Sequence, residues 1–279
     1  MTNGTPESTA ATSELVVPRS IPTILLTKER CHDRRSLRTQ FSIFIFTGLR
    51  HFHLVARLDA QCTIDRFEFE RALSRQGVRY IAGVDEAGRG PLAGPVVAAA
   101  AVLPAEWIHS GLPAELRGLN DSKQLTAIQR GKFFAWLTGR PTVVRFALAR
   151  IDVETIDAIN ILEATHRAMN QALAQLDPPP GHVLVDGLRV QSMRIAQTAL
   201  VQGDARSFSI AAASVLAKVT RDRLMLEYDR RFPAYGFARH KGYGTARHLA
   251  ALEKHGPCPI HRRSFAPLKQ AEPRLFEVP

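Results

Sequence analysis

Short apolar runs predict four buried strands in the part of the chain that follows residue 66. Brief runs of this kind, bounded by glycine, proline or polar residues, are typical of strands covered on both faces. The first and the last run end directly before Asp85 and Asp186, so both of these predicted strands end at a carboxylate. The four runs occupy residues 80–84, 96–103, 143–149 and 183–185.

Helical spacing of apolar positions predicts four helices around these strands. Two are long, at residues 152–176 and 208–232, and two are short, at residues 67–74 and 245–255. An aspartate and three prolines directly after residue 176 end the first long helix. Strands that alternate with helices predict an α/β domain.

The first 66 residues lack this organisation. Residues 1–20 are rich in serine, threonine, proline and glycine, a composition typical of disorder, and residues 21–66 show no sustained period. We therefore predict an N-terminal extension over residues 1–66, disordered or poorly structured, and a folded domain over residues 67–279. The extension could be a basic tail, translated sequence upstream of the natural start, or an organelle transit peptide, although its glutamates argue against the last.

The sequence has 37 lysine and arginine residues against 26 aspartate and glutamate residues, a formal net charge of +11. A polyanionic partner such as nucleic acid explains why a protein would tolerate that self-repulsion. A generally basic surface without such a partner explains the charge equally well. Charge alone therefore leaves both interpretations open.

Three widely spaced cysteines, Cys31, Cys62 and Cys258, form no C-x-x-C pair. An odd count without that spacing indicates neither a disulfide framework nor a zinc site, which favours a reducing cytoplasm. No run reaches the roughly 18 to 20 apolar residues of a membrane span, so we expect no membrane association.

Carboxylates stand at the ends of the predicted strands and beside glycines. Asp85 and Glu86 lead into a glycine-rich turn, Asp186 precedes Gly187, and Asp204 lies in a predicted loop before the second long helix. Carboxylates gathered at one sheet edge repel one another and raise each other's pKa unless a cation neutralises them. Such hard oxygen ligands suit Mg²⁺ or Mn²⁺, and two ions roughly 3.5 to 4 Å apart can hydrolyse a phosphodiester.

Each of these residues also has a structural interpretation. Asp before Gly is a common turn pair, and Asp204 could simply cap a helix. The histidines His240, His255 and His261 fit surface or hydrogen-bonding roles better than zinc ligation. Spacing alone therefore leaves the metal site as one of two interpretations.

Several long motifs, in order, give the sequence a family resemblance. Residues 80–103, YIAGVDEAGRGPLAGPVVAAAAVL, closely resemble the opening signature of ribonuclease HII. The resemblance continues to about residue 269 and leaves residues 1–66 without a counterpart. Its further segments are residues 119–126 (LNDSKQLT), 159–172, 183–187 (VLVDG), 203–222, 235–245 (YGFARHKGYGT) and 261–267 (HRRSFAP).

The resemblance implies an RNase H-like mixed α/β sheet with flanking helices and a helical C-terminal region. It implies that a glycine-rich turn reads the ribose 2′-hydroxyl, that a tyrosine packs on the next sugar, and that lysines lie near phosphates. The residues it assigns to catalysis and to binding of Mg²⁺ or Mn²⁺ are Asp85, Glu86, Asp186 and Asp204. Those it assigns to substrate binding are Gly88, Arg89, Gly90, Lys123, Lys218 and Tyr243.

The activity implied by the resemblance is metal-dependent endonucleolytic cleavage. The enzyme would hydrolyse RNA in RNA–DNA hybrids and cut 5′ to single ribonucleotides in duplex DNA, leaving 3′-hydroxyl and 5′-phosphate ends. Its partners would be these two nucleic acids, and we expect a monomer. Asp222 is another acidic residue near the site, but four residues after Lys218 it can simply pair with that lysine on one helix face.

Three rival functions remain to be weighed. Ribonuclease HIII shares the reaction class, but it has Gly-Lys-Gly where this sequence has Gly88-Arg89-Gly90, and it has a structured N-terminal domain. A non-catalytic nucleic-acid binder gains nothing from four carboxylates facing phosphate. Another nuclease or a transposase could share the fold, since fold alone does not set chemistry.

Overall fold

A computed structural model describes residues 65–269, together with the backbone of two earlier strands, β1 (Thr23–Arg30) and β2 (Thr39–Phe46). These two strands pair antiparallel, and the sequence patterns above do not predict them. The predicted extension comprises residues 1–66. Apart from these two strands, Asp65 and Arg66, it lies outside the residues that the structure describes. The chain divides into two units, Met1–Ile64 and Asp65–Pro279, and the second carries the fold described below.

The second unit is built on a five-stranded mixed sheet with the order β5-β4-β3-β6-β7. Strand β3 pairs antiparallel with β4, and β4 pairs antiparallel with β5. On the other side β6 runs parallel to β3, and β7 runs parallel to β6. The predicted α/β class with a mixed sheet is confirmed. The strands are β3 (Ile81–Ala87), β4 (Val96–Val102), β5 (Arg145–Ile151), β6 (His182–Asp186) and β7 (Gln197–Leu200).

Helices cover both faces of this sheet and form the C-terminal region. None of the helices within the described part of the chain is long and apolar enough to span a membrane. The helices are α1 (Glu68–Arg75), α2 (Ala105–Ser110), α3 (Ala127–Thr138), α4 (Val153–Ile159), α5 (Ile161–Ala174), α6 (Gly203–Arg206), α7 (Phe208–Arg231), α8 (Phe237–His240) and α9 (Ala246–His255), with a 3-10 turn at Ala114–Leu116.

Strand β4 lies at the centre of the core and is buried along its whole length. Because successive side chains point to opposite faces of a strand, Ala99 and Ala101 pack towards α7 whereas Ala98 and Ala100 pack towards α5. Small side chains let both helices approach closely. On β3, a Cβ atom at Gly83 would lie 2.1 Å from the Ser209 carbonyl carbon, so only glycine fits beneath α7.

The structure departs from the predicted elements in three places that matter for the site. Strand β3 continues through Asp85 and Glu86, so these acids lie within the strand and not after it. Asp204 lies in the short helix α6 and not in a loop. The predicted helix at residues 152–176 is two helices, because Asn160 takes a left-handed φ of 68° and caps α5 through its side chain.

Candidate metal and nucleic-acid site

Three carboxylates from different elements meet at one edge of the sheet. Asp85, Asp186 and Asp204 each offer an oxygen, and these atoms all lie within 4.8 Å of one another. Strand register explains the first two, since Val84 of β3 pairs with Val185 of β6 and the following residues are the two aspartates. We call these three residues the carboxylate cluster.

Asp204 reaches the cluster because a glycine lets helix α6 approach β6. The Gly203 N–H donates to Asp186 Oδ1 over 2.7 Å, which ties the start of α6 to the end of β6. A Cβ at Gly203 would lie 2.6 Å from the Ile210 Cδ1 atom and 3.2 Å from Asp186 Oδ1. Packing therefore disfavours a side chain at residue 203, directly before the aspartate that joins the cluster.

Burial and neighbouring carboxyl groups make two members of the carboxylate cluster, Asp85 and Asp204, hard to ionise without a cation. Burial, followed by the charges of Glu86 and Asp186, raises the pKa of Asp85 well above its ordinary value. Burial, the neighbouring Asp121 carboxyl and the charge of Asp186 raise the pKa of Asp204 to about 6. A divalent cation would remove this repulsion, and an all-oxygen donor set suits Mg²⁺ or Mn²⁺.

Glu86, the fourth predicted metal ligand, lies beside the cluster and not within it. Its Oε1 atom accepts from Arg89 Nη1 over 3.3 Å. Burial raises the pKa of Glu86, the Arg89 guanidinium opposes that shift, and the charge of Asp186 adds to it. Glu86 is thus electrostatically part of the site while its side chain points towards the glycine-rich turn.

Eight of the ten predicted site residues line one cleft of about 280 Å³. The other two, Asp186 and Asp204, line an adjoining depression of about 300 Å³. Lys123 lines both, so the two hollows form a continuous region around one lysine. The eight residues in the cleft are Asp85, Glu86, Gly88, Arg89, Gly90, Lys123, Lys218 and Tyr243.

The glycines of the Gly88-Arg89-Gly90 turn have different reasons to lack a side chain. Gly88 has a φ of 101°, and a Cβ there would lie 2.0 Å from the Arg221 Nε atom. A Cβ at Gly90 would meet nothing closer than Tyr243 Cε1, at an ordinary 3.7 Å. Packing therefore explains Gly88, whereas a side chain at Gly90 would only contact the half-exposed ring of Tyr243.

Both predicted lysines face carboxylates. Burial opposes the charge of Lys123, but Asp121 and the carboxylate cluster outweigh burial and raise the pKa of this lysine. Lys218 Nζ lies 2.8 Å from Asp222 Oδ1, which confirms the predicted pairing on one face of α7. Asp222 does not belong to the group of carboxylates that could hold a metal among the described residues.

Three arginines that the sequence patterns did not single out contact the site. Arg66 donates to the backbone oxygens of Leu119 and Asp204 and so braces the segment that carries a cluster carboxylate. Arg221 and Arg262 are 1% and 0% exposed and hydrogen-bond only to backbone carbonyls around the glycine-rich turn. Arg221 and Arg262 lie within the matched segments 203–222 and 261–267, but their burial was not predicted, because a charged residue ordinarily indicates solvent exposure.

The buried histidines His240, His248 and His261, here called the histidine cluster, have hydrogen-bonding roles. His248 Nδ1 donates to the backbone carbonyl oxygen of Tyr243 over 2.9 Å. The Nε2 atoms of His248 and His261 lie 2.9 Å apart. The Cys258 N–H donates to His261 Nδ1, so His261 must donate through Nε2 and both rings are neutral. The cluster thus supports Tyr243, and the interpretation of His240 and His261 as hydrogen-bonding residues is confirmed.

Comparison with known proteins gives consistent similarities. Residues 82–268 match the protein family described as Ribonuclease HII. The chain is 52% identical to Ribonuclease HII of Geobacter metallireducens over 202 residues, which are 72% of this chain and 91% of that one. It is 53% identical to Ribonuclease HII of Ruminiclostridium cellulolyticum over 197 residues, 71% of this chain and 74% of that one.

The fold also resembles a solved structure. The crystal structure of the ribonuclease H2 from Pyrococcus horikoshii matches with a TM-score of 0.56 and 29% sequence identity. The match covers 68% of this chain and 95% of the other. The mixed sheet and its flanking helices therefore have a direct counterpart among solved structures.

Proposed function

The chain belongs to the ribonuclease HII family and is a metal-dependent ribonuclease H, and on that premise we propose that it cuts 5′ to single ribonucleotides embedded in duplex DNA. Activity on RNA–DNA hybrids follows from the family. The finer specificity is supported by one observation: the acidic strand end and the glycine-rich turn share a cleft with Tyr243. The products would carry 3′-hydroxyl and 5′-phosphate ends.

The residues that would hold divalent metal are Asp85, Asp186 and Asp204, with Glu86 beside them. Their all-oxygen donor set, together with the raised pKa values of Asp85 and Asp204, fits Mg²⁺ or Mn²⁺. Two bound ions would activate a water and stabilise the leaving oxygen of the phosphodiester. The protein contributes the fixed positions of these carboxylates, which come from β3, β6 and α6.

The substrate would lie along the cleft with its phosphates towards Lys123 and Lys218. These lysines flank the acidic residues, so they can hold a phosphate backbone that the carboxylates alone would repel. The turn at residues 88–90 would contact the ribose 2′-hydroxyl, the group that distinguishes RNA from DNA. Tyr243, which is 46% exposed, would pack on the sugar 3′ of the ribonucleotide.

We further propose that the enzyme acts as a monomer in the cytoplasm without membrane association, and that residues 67–279 carry the catalytic function. The family resemblance supports the assignment to this region, because it begins after the N-terminal extension. Removal of misincorporated ribonucleotides from DNA and degradation of RNA in hybrids are the biological roles consistent with this activity.

The experiment that tests the proposed function compares three duplexes at fixed salt: one with a single ribonucleotide, one all-DNA and one RNA–DNA hybrid. Mg²⁺ should support cleavage of the first and third, EDTA should abolish it, and the all-DNA duplex should stay intact. An uncut single-ribonucleotide duplex alongside a cleaved hybrid would refute the finer specificity and leave the general activity standing.

A matched pair of variants tests the tyrosine. Tyr243→Ala removes the ring and should weaken cleavage of the single-ribonucleotide duplex more than that of the hybrid, where the next sugar is ribose. Tyr243→Phe retains the ring and should stay close to wild type on both substrates. Equal losses on both substrates in Tyr243→Ala would assign the ring a general structural role.

A further inference from the structure

Two fully buried guanidinium groups lie beneath the proposed ribose-reading turn. Within residues 65–269, neither Arg221 nor Arg262 forms an ion pair with a carboxylate. Burial, followed by the charge of Arg221, lowers the pKa of Arg262 to about 9. Uncompensated buried cations are costly, so the hydrogen bonds that these two groups make are expected to serve a purpose.

The two arginines bind different carbonyls. Arg262 Nη2 donates to the Gly88 oxygen over 2.6 Å, and its Nη1 donates to the Arg89 oxygen over 2.9 Å. Arg221 makes 3.0 Å hydrogen bonds to carbonyls outside the turn, those of Ala93, Pro95 and Lys241. Only Arg262 therefore holds the backbone of the turn itself by hydrogen bonds.

Because of peptide geometry, this contact also determines the direction of the N–H groups on the opposite face of the turn. A peptide unit is planar and trans, so its C=O and N–H point in opposite directions. Fixing the Gly88 oxygen on Arg262 directs the Arg89 N–H away from Arg262. Fixing the Arg89 oxygen does the same for the Gly90 N–H.

These two N–H groups have no partner of their own. Among the described residues, neither the Arg89 N–H nor the Gly90 N–H has a hydrogen-bond acceptor. Both residues are exposed in the lining of the cleft, so the two N–H groups are free to donate to a ligand oxygen there. Gly90 is exposed and lines the cleft, so an oxygen can approach its backbone.

We propose that Arg262 is a positioning residue that orients the Arg89 and Gly90 N–H groups towards the 2′-hydroxyl of the ribonucleotide. The inference rests on the proposed function, because it assumes that the turn at residues 88–90 faces the ribose. Arg262 itself touches no substrate. It acts by holding two carbonyl oxygens, which leaves two donors in a fixed direction.

The test measures binding preference, because loss of stability would weaken binding to any duplex alike. Arg262→Lys keeps the positive charge but cannot donate to both carbonyls from one planar group. Arg71→Lys is the matched control, because this part-buried arginine also donates to a backbone carbonyl, that of Ile108, and does not line the cleft. Dissociation constants are measured for single-ribonucleotide and all-DNA duplexes in Ca²⁺, with a gel showing that the duplexes remain intact.

Arg262→Lys is expected to reduce the wild-type preference for the ribonucleotide duplex about tenfold, roughly the loss of one or two net hydrogen bonds. Its affinity for the all-DNA duplex should stay unchanged, and Arg71→Lys should retain the preference. An unchanged preference in Arg262→Lys, or an equal loss in both variants, would overturn the inference. A wild-type protein without preference or cleavage would instead refute the proposed function.

An experiment on the wild-type protein covers the case in which Arg262→Lys does not fold. The amide resonances of Arg89 and Gly90 are followed by NMR while each duplex is added in Ca²⁺. The ribonucleotide duplex should shift both resonances, and the all-DNA duplex should shift them much less. Equal shifts with both duplexes, or none with either while cleavage is intact, would contradict the proposed donor role.

Discussion

The carboxylate cluster and the histidine cluster both place titratable side chains inside the protein, and they satisfy those side chains in different ways. His248 and His261 lie in a hydrogen-bond chain that runs from the Cys258 N–H to the Tyr243 backbone carbonyl oxygen, so both of these rings are neutral. Burial and, after it, the neighbouring carboxyl groups instead raise the pKa values of Asp85 and Asp204. One region is complete as it stands, and the other requires a cation.

This difference separates buried polar groups that build a structure from those that perform chemistry. Buried groups with internal partners stabilise one conformation, because losing a partner leaves an unsatisfied donor or acceptor. Groups that repel one another lower the stability of the fold. Such an arrangement indicates function, because an external ligand can remove the repulsion. Variants in the two regions should therefore have opposite effects on activity and on stability.

The largest effect is expected from neutralising the carboxylate cluster. Asp85→Asn and Asp186→Asn should each lower turnover by about a thousandfold or more, since metal contributes several kcal/mol to the transition state. In EDTA the thermal unfolding temperature should stay the same or rise, because repulsion is removed. Turnover in Mg²⁺ and calorimetry in EDTA measure the two effects.

The control for these variants is Asp152→Asn, which makes the same chemical change at the exposed N-cap of α4. Asparagine caps helices as well as aspartate does, so neither turnover nor stability should change. Turnover near the wild-type value in Asp85→Asn or Asp186→Asn would show that the metal site lies elsewhere.

The histidine cluster should show the reverse pattern. His248→Gln places an amide near the original Nε2 position and loses the hydrogen bond to the Tyr243 backbone carbonyl oxygen. His248→Asn retains a donor near the original Nδ1 position and loses the contact with His261. Each should lower the free energy of unfolding by about 1 to 3 kcal/mol. Urea unfolding and cleavage rates are measured together, and His248→Asn should keep more activity because Tyr243 stays supported.

Equal activity in the two His248 variants would show that the Tyr243 carbonyl needs no such support. A loss of activity in either variant without loss of stability would place the histidine cluster in the chemistry itself, and the contrast between the two regions would no longer hold.

The contributions of the two regions to the free energy of unfolding should also change with pH in opposite directions. Burial, followed by His248, lowers the pKa of His261 from 6.5 to about 4, so its contribution to stability is lost as pH falls through this range. The pKa of Asp204 is raised from 3.8 to about 6, so in metal-free protein its contribution is lost as pH rises through that range.

The measurement is the free energy of unfolding in EDTA between pH 4 and pH 7. Relative to wild type, Asp204→Asn should become more stable as pH rises, and His261→Gln should lose less stability as pH falls. Saturating Mg²⁺ should suppress the first difference and leave the second. The same slope for both variants would contradict the assignment of opposite shifts.

The smallest effect is expected from removing residues outside the second unit. A chain that begins at Asp65 should cleave within about twofold of the full chain, because the described contacts to the site begin at Arg66. Arg66→Ala in the full chain should lower activity more than this truncation, since Arg66 braces Asp204. An inactive but folded truncation would show that residues 1–64 contribute to function.

Sequence pattern predicted most of the sheet because four of its five strands are apolar runs. It missed β7, Gln197–Leu200, which is short and half polar, and it ended β3 too early because Asp85 and Glu86 interrupt the apolar run. Local pattern identifies buried strands, and it gives no reason for a strand to continue through charged residues.

The candidate site was predictable where motifs are continuous in sequence and not where contacts join distant segments. The resemblance supplied the acidic residues and the turn, and the structure brings three of the four carboxylates together. Arg221 and Arg262 lie in matched segments, but their contacts could not be predicted, because their partners are backbone carbonyls that no side-chain pattern encodes. The role of a buried arginine depends on the tertiary contacts that bury it.

The hydrogen bond between Arg262 and Gly88 joins residues separated by 174 positions, and this separation has a consequence for synthesis. At about 5 to 20 residues per second, Arg262 is added roughly 10 to 35 s after the turn that it holds. The turn is thus among the first parts of the site to be made and among the last to be fixed. A chain released early would contain the acidic strand and the turn, yet it would lack the arginine that sets their shape, so we expect unfinished chains to be unable to distinguish ribose from deoxyribose.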